Sequence, residues 1–247
     1  MSSLVLVHED PCFVVIDKPP GLLSIPGNIS QDSVATRMAA LYPDRPGPHV
    51  VHRLDMDTSG LMVVALTPEA HRALSIEFED RVIEKTYVAI LDGEVKGDEG
   101  LLVMRFRLNR QDRPRQIYDP ERGKVGETRY RVLERSAGPR TRVEFRPLTG
   151  RTHQLRAQAA HPLGLGAPIL GDRLYGKNAS GPVIGGMNPP AGATAALYAS
   201  GPGMNPPAGA TAALNAAGLR LMLHASRLRI AHPLTGEMLE FQSDPPF

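Results

Sequence analysis

The chain holds one cysteine, Cys12, and no tryptophan, and aromatic residues make up only 5% of its 247 positions. A single thiol excludes an intramolecular disulfide and any multi-cysteine zinc site. Long apolar runs are missing too: no stretch reaches the roughly 20 residues that a membrane-crossing helix needs. The opening MSSLVLVHEDPCFVVIDKPPG has no basic segment ahead of an apolar core and makes a poor secretory signal. There is no Walker loop, no strand–GxGxxG–helix unit and no HExxH helix, so neither a nucleotide cofactor nor a metal is expected. The eight histidines include His49 and His52, three apart, and His153 and His161, eight apart, without a metal-ligand grouping. These absences point to a cofactor-free cytoplasmic protein, and 42% apolar with 22% charged residues suit a globular one.

The charge that is present is unevenly placed. Residues 1–100 carry 8 Lys/Arg against 16 Asp/Glu, a balance of −8, whereas residues 101–156 carry 15 against 6, a balance of +9. The remainder adds +1, giving the net +2. One concentrated basic segment suits a polyanion docking on one face, although a solvated Arg-rich surface would look the same. Fourteen of the fifteen cations are arginine, whose planar fork matches phosphate oxygens and stacks on bases.

Short strands with irregularly interspersed helices argue for an α+β fold rather than a doubly wound sheet. Phe13–Ile16 is an apolar run ended by the Lys18-Pro19-Pro20-Gly21 turn signal. Ser33–Tyr42 reads as a helix capped by Asp32 or Ser33, and Thr67 to Phe78 as a second, with Pro68 in its first turn. Val50-Val51 and Leu61–Leu66 are apolar runs around a polar segment. Lys85–Leu91, Leu101–Leu108, Glu127–Glu134 and Thr141–Pro147 read as strands, Thr152–His161 as a helix, and Leu219–Ile230 and Met238–Phe241 as strands again. GMNPPAGATAAL, residues 186–197, recurs at 203–214 within a Gly/Pro/Ala-rich stretch. Residues 177–218 are therefore expected to be an inserted flexible loop.

The polar segment between the two apolar runs is the first candidate for chemistry. A reactive loop on buried strands is the usual form of an active site. Asp55 and Asp57 lie close there, with His52 and Arg53 as counter-charge, and a carboxylate can act as a nucleophile at a sugar or base carbon. Residue pattern alone leaves alternatives open: an acidic turn closed by Thr58-Ser59-Gly60, or a glycosidase-like carboxylate pair.

The whole string HRLDMDTSGL resembles the signature HRLDxxTSGL of the RluA-like pseudouridine synthases. The resemblance continues through DPCFVVIDKPPGLLSIPG, EKTYVAIL, LTGRTHQLRAQAAHPLGLGAPILGDRLYG and LMLHASRL, in the family's order, leaving out only the repeated insertion. It implies the pseudouridine synthase fold: α+β, a mixed, mostly antiparallel sheet in two lobes with a central active-site cleft. It implies isomerisation of uridine to pseudouridine in ribosomal and/or transfer RNA, with base flipping and re-attachment through carbon. On this resemblance Asp55 is the catalytic nucleophile, Tyr87 the tyrosine that stacks on the base and handles protons, and Arg156 the arginine paired with the aspartate. Arg53 enters the stack as the uridine leaves, and His52, Lys85, Arg151 and Gln154 are placed against the RNA. Arg151 to Gln154 would open a helix whose N–H groups suit phosphate, with Thr149 or Thr152 as its cap. The family often has His where this chain has Gln158, so a role for an imidazole there lapses. Fifty-one residues precede the HRLD string, so residues 1–247 are expected to be a single catalytic domain, the short monomeric form without an N-terminal S4 domain. Substrate recognition would then fall to the basic 101–156 segment. An idle RNA-binding module on the same fold is the rival from another class; together Asp55, Tyr87 and Arg156 speak against it.

Overall fold

The structure is a computed structural model and describes residues 4–45, 49–136, 138–177 and 220–247. The repeated insertion lies outside the described residues apart from Lys177, whose ammonium pairs with Asp92 at 3.1 Å. The chain divides into two compact units: Met1–Val88 with Leu223–Phe247, and Ala89–Met222.

In the first unit β1 (Val5–Glu9) pairs antiparallel with β2 (Phe13–Lys18), and β2 antiparallel with β3 (Ser59–Ala65). β3 runs parallel to β9 (Leu223–Ala231), which pairs antiparallel with β10 (Met238–Gln242). Every residue of β3 is buried, as expected of an apolar run covered on both faces. Strand alternation divides the core. Phe13, Val15, Leu61 and Val63 meet Ala70 and Leu74 of α2 (Pro68–Asp80); Val14, Ile16, Met62 and Val64 meet Val34 and Met38 of α1 (Val34–Leu41). Both helices begin where the sequence says. Ser33 and Thr36 form a reciprocal capping box on α1, and Thr67 caps α2 ahead of Pro68. β4 (Glu84–Leu91) begins in this unit and ends in the next.

The second unit is built on antiparallel strands. β5 (Glu99–Leu108) pairs with the short β6 (Gln116–Tyr118) and with β7 (Lys124–Ser136), and β7 pairs with β8 (Arg140–Pro147). The inward side chains of β5, Leu102, Met104 and Phe106, are buried, and α3 (Gln154–Ala160) lies on that side. Among these pairings only β3 with β9 is parallel, so the α+β, mostly antiparallel expectation describes both units.

α3 corrects the sequence reading. The helix starts at Gln154, not Thr152; His153 stands before it at φ 53°, in the left-handed region, with no side-chain cap. Neither threonine caps it: the Thr149 hydroxyl accepts from Glu127 N–H and donates to Gln154. Every residue from Gln154 to Ala159 is buried, so this seven-residue element is a core helix.

Candidate active site

The Asp55 loop is held by the segment after β2. Pro19 and Pro20 lack N–H groups, so local turns cannot satisfy the carbonyls around them. Lys18 supplies the donors. Its side chain is 0% exposed, and its ammonium donates to the carbonyls of Pro19 (2.9 Å), Leu22 (2.8 Å) and Met56 (3.0 Å). Gly21 N–H also donates to Met56 O at 2.8 Å. The Ser24 hydroxyl donates to Leu54 O (2.7 Å) and accepts from Leu54 N–H (3.1 Å), and Thr58 N–H closes the turn on Asp55 O at 3.1 Å. Asp55 is thus fenced from both sides by main-chain bonds. Read as sequence, KPPG is only a turn; a lysine ending a buried strand before two prolines is the signal that could have found Lys18, whereas nothing local marks Ser24.

Downstream, Gly60 is required by close approach. Its φ is +113°, and a Cβ there would lie 2.5 Å from Ala225 N on β9 and closer still to Ala225 O. The Ser59 hydroxyl donates to Nδ1 of His224 (2.9 Å), whose Nε2 meets the Ser243 hydroxyl (3.0 Å), which donates to Asp17 (2.6 Å). Ser243 gives its proton to Asp17, so Nε2 carries the imidazole proton and Nδ1 accepts.

Around this frame the first unit gathers Asp55, Tyr87, Arg53, His52 and Lys85. Tyr87, on β4, is partly buried and packs on the cluster that contains Leu54 and Met62. Burial first, and the Asp55 carboxylate second, push its phenol above the ordinary range, which places the two within electrostatic reach. Arg53 is exposed, with no hydrogen bond or ion pair among the described residues. Lys85 is half-buried, its ammonium 5.4 Å from the Phe78 ring centre, and desolvation pushes its pKa down. It too has no hydrogen bond or ion pair among the described residues.

His52 is otherwise engaged. Its Nε2 accepts Val63 N–H at 3.1 Å, and the ring stacks on Phe78 at 4.3 Å. Burial, and then the Lys85 charge, push its pKa down to about 3, so the imidazole is neutral. It pins the loop to β3 and brings no charge to RNA, contrary to the counter-charge expected of it.

In the second unit Arg156 forms a two-pronged pair with Asp172, Nε and Nη2 each donating at 2.8 Å, with side chains 3% and 0% exposed. Asp172 also accepts from the N–H groups of Leu174 (2.8 Å) and Tyr175 (3.0 Å). Burial opposes its ionisation, but Arg156 and these bonds outweigh that and hold its pKa below the usual carboxylate value. The guanidinium lies 5.4 Å from the Tyr175 ring centre. Gln154 is a further correction. Its oxygen accepts from Thr149 Oγ1 (2.8 Å) and Arg151 N–H (3.0 Å), and its nitrogen donates to Glu127 O (3.0 Å) and Thr128 Oγ1 (2.9 Å). That exhausts an amide side chain, so Gln154 holds the Arg151 turn in place and has nothing left for RNA. Arg151 itself is exposed, with Nε on Val125 O at 3.1 Å. Gln158 is fully buried and bonds Thr128, Leu102 and Gly126, tying α3 to β5 and β7.

One group among the described residues could offer three ligands to a metal: Asp10, Cys12 and His232. Nδ1 of His232 accepts the N–H groups of Leu234 and Thr235, both at 3.2 Å, so Nε2 is protonated and donates to Asp10. Burial and Asp10 push the Cys12 thiol up to about 12. A metal would have to displace both protons, and the cluster is already closed by its own hydrogen bonds.

A family model described as RNA pseudouridylate synthase matches residues 12–161. The chain belongs to this family. It is 38% identical over 246 residues to the dual-specificity RNA pseudouridine synthase RluA of Escherichia coli (strain K12), covering 99% of this chain and 94% of that one. To the protein of the same description from Haemophilus ducreyi it is 39% identical, over 98% and 93%. Among solved structures, human RNA Pseudouridylate Synthase Domain Containing 1 superposes with TM-score 0.68 at 25% identity, covering 99% of this chain and 84% of that one. Human RNA Pseudouridylate Synthase Domain Containing 4 gives 0.66 at 25%, over 98% and 88%. This member is therefore an RNA pseudouridine synthase, an isomerase that converts uridine to pseudouridine.

Proposed function

We propose that Asp55 is the nucleophile of this synthase, assisted by Tyr87 and Arg156, on a uridine flipped out of ribosomal and/or transfer RNA. The dual specificity in the relatives' names supports more than one RNA target. The family match runs through both units, which supports reading residues 1–247 as one catalytic domain.

The observation that carries the reading is the Asp55–Tyr87 pair on its clamped loop: a backbone fixed on both sides of Asp55, and a carboxylate whose charge is felt by a partly buried phenol packed against Leu54. Isomerisation breaks the N1–C1′ bond and forms C5–C1′, while C5 gives up a proton and N1 gains one, so RNA mass is unchanged. The Asp55 oxygen attacks the sugar or ring carbon and holds one fragment while the base turns. Tyr87 offers its ring face to the uracil. While Asp55 is ionised, its charge keeps the phenol protonated. Burial, the larger cause, keeps the phenol protonated throughout, so Tyr87 takes the proton leaving C5 only as its own hydroxyl proton passes to N1, which keeps the proton count balanced.

Flipping costs a few kcal/mol. Arg53, exposed and unpaired among the described residues, fills the vacated stack. Lys85, half-buried without an anion among the described residues, receives a phosphate of the bound RNA, and the exposed Arg151 receives another. Arg156 enters with its plane fixed by Asp172.

The test is Asp55→Asn. We expect RNA binding to survive and pseudouridine formation to vanish, with RNA mass unchanged and no free uracil released by the wild type. Normal turnover in the variant would overturn the assignment. Mapping pseudouridines across total RNA from cells with and without the protein identifies the targets.

A further inference from the structure

α3 covers one face of the antiparallel sheet of the second unit, through Gln154 and Gln158 to β7 and β5. Alternation sends the intervening side chains to the other face. That face is exposed: Leu101 is 54% and Val103 56% accessible, and Arg129, Arg131 and Arg146 are all exposed. Register sets these groups beside one another. Arg129 stands directly across from Arg146, and Arg131 across from Glu144. Glu144 is shared, accepting from Arg146 at 2.9 Å and from Arg131 at 3.4 Å. Arg129 has no carboxylate partner among the described residues. Two guanidinium groups therefore share Glu144 while Arg129 and Arg146 form a like-charged cross-strand pair; the same face also carries Glu99, across from Arg131, and Glu127, two residues before Arg129. Such a pair opposes sheet stability, so folding alone gives no reason for it.

We propose that this open face of β5, β7 and β8 is a docking surface for the phosphate backbone of folded RNA. The proposal rests on the synthase reading and extends it from the reacting nucleotide to how the RNA is held. Charge complementarity selects the occupant: with Arg105 and Arg142 at the same alternating positions, five arginines face three carboxylates, Glu99, Glu127 and Glu144, and such an excess of forks matches phosphate oxygens in two-pronged fashion. Leu101, opposite Arg129, and Val103 beside it give an apolar floor against which ribose can rest. No base edge needs reading, so binding there follows RNA shape and charge rather than sequence.

The experiment uses the full-length enzyme, R129Q/R146Q and R129E/R146E, with a stem-loop RNA containing the target uridine. Both sites are exposed; R129Q/R146Q removes the Arg–Arg repulsion along with the surface Arg146–Glu144 pair, so its thermal stability should stay close to wild type, whereas R129E/R146E exchanges one like-charged pair for another. For R129Q/R146Q the proposal expects about tenfold weaker binding at moderate salt and a salt slope of log affinity smaller by about 2. KM rises while kcat at saturating RNA stays at the wild-type value, and the charge reversal is weaker still. Unchanged affinity and slope would overturn the proposal. So would variants that alter only self-association measured by sedimentation without RNA, which would make this face a contact between copies of the chain. Asp55→Asn keeps the two readings apart: it should bind with the wild-type slope and make no product. An active Asp55→Asn would sink the nucleophile while leaving the docking result standing.

Discussion

Replacing Gly60 by alanine tests whether the Asp55 loop is fixed by strand contact. The added Cβ would meet two β9 backbone atoms, Ala225 N at 2.5 Å and Ala225 O at a still shorter distance. Backbone cannot swing aside, so β3 and β9 would have to part by about 1 Å to recover ordinary contact. Parting breaks the pairing of Ser59 with His224 and of Gly60 with Ala225, and stretches the 2.9 Å bond from Ser59 to His224. The φ of +113° adds strain of about 1–3 kcal/mol and the lost hydrogen bond about 1 kcal/mol. With the clash the total is about 3–5 kcal/mol, or roughly 6–20 °C in Tm for a chain of this size.

Gly138 is the internal control. Its φ is +116°, nearly the same, yet nothing lies within 4 Å of a Cβ built there. Gly138→Ala should therefore show strain alone, about 1–2 kcal/mol. Calorimetry and urea midpoints measure both variants, and pseudouridine formation is assayed at a temperature where both are folded. Gly60→Ala should be slow, because the altered strand carries the loop, and Gly138→Ala should match the wild type. Equal costs for the two alanines would show that contact with Ala225 does not constrain Gly60, and the reasoning would be refuted.

Asp172→Asn turns an acceptor of Arg156 into a donor facing a donor, inside a site 3% and 0% exposed. Breaking a buried pair this way should cost about 3–5 kcal/mol in denaturant unfolding and reduce activity with it. A loss under about 1 kcal/mol would mean that the pair adds little to the fold. His52 sets a pH dependence. Its pKa falls from 6.5 unfolded to about 3 folded, so its stabilisation is complete above pH 6.5 and is lost as pH falls through that window. Between pH 7 and 5 the loss is about 1–2 kcal/mol after allowing for partial exposure. His161, pushed down by burial, acts in the same sense. Urea midpoints of wild type and His52→Gln across that range should diverge, the variant being flatter; parallel curves would refute a neutral, buried imidazole.

What the sequence made legible was set by local chemistry. The apolar run of β2, the Ser33 and Thr67 caps and Pro68 each declare themselves within a few residues, and the structure puts α1 and α2 where those signals say. β1 and β6 carry no such signal. β1 is mostly exposed and irregular in register against β2, and β6 is three residues long, so both exist through partners distant in sequence. α3 misled for a related reason. Gln154, Arg156 and Gln158 look like the polar face of a surface helix, yet Thr128, Glu127, Asp172 and the Leu102 and Gly126 carbonyls satisfy them inside the unit. Burial of polar groups is decided by tertiary partners, and no periodicity carries those.

Hydrogen-bond satisfaction separates residues that a motif treats alike. Gln154 and Arg53 both sit in conspicuous strings, but Gln154 has committed every donor and acceptor to its own unit, whereas Arg53 has committed none among the described residues. Lys18 and Lys85 divide likewise: one buried ammonium is saturated by three carbonyls, the other stands over an aromatic ring without an anion. Lys85 is half-buried with only the Phe78 ring beside its charge, so an anion brought to it gains more than one brought to a fully hydrated lysine. In the proposed function a phosphate of the RNA is that anion. On the proposed reading, residues that frame the loop are those whose bonds close within the protein, and residues that meet RNA are those whose bonds the protein leaves open.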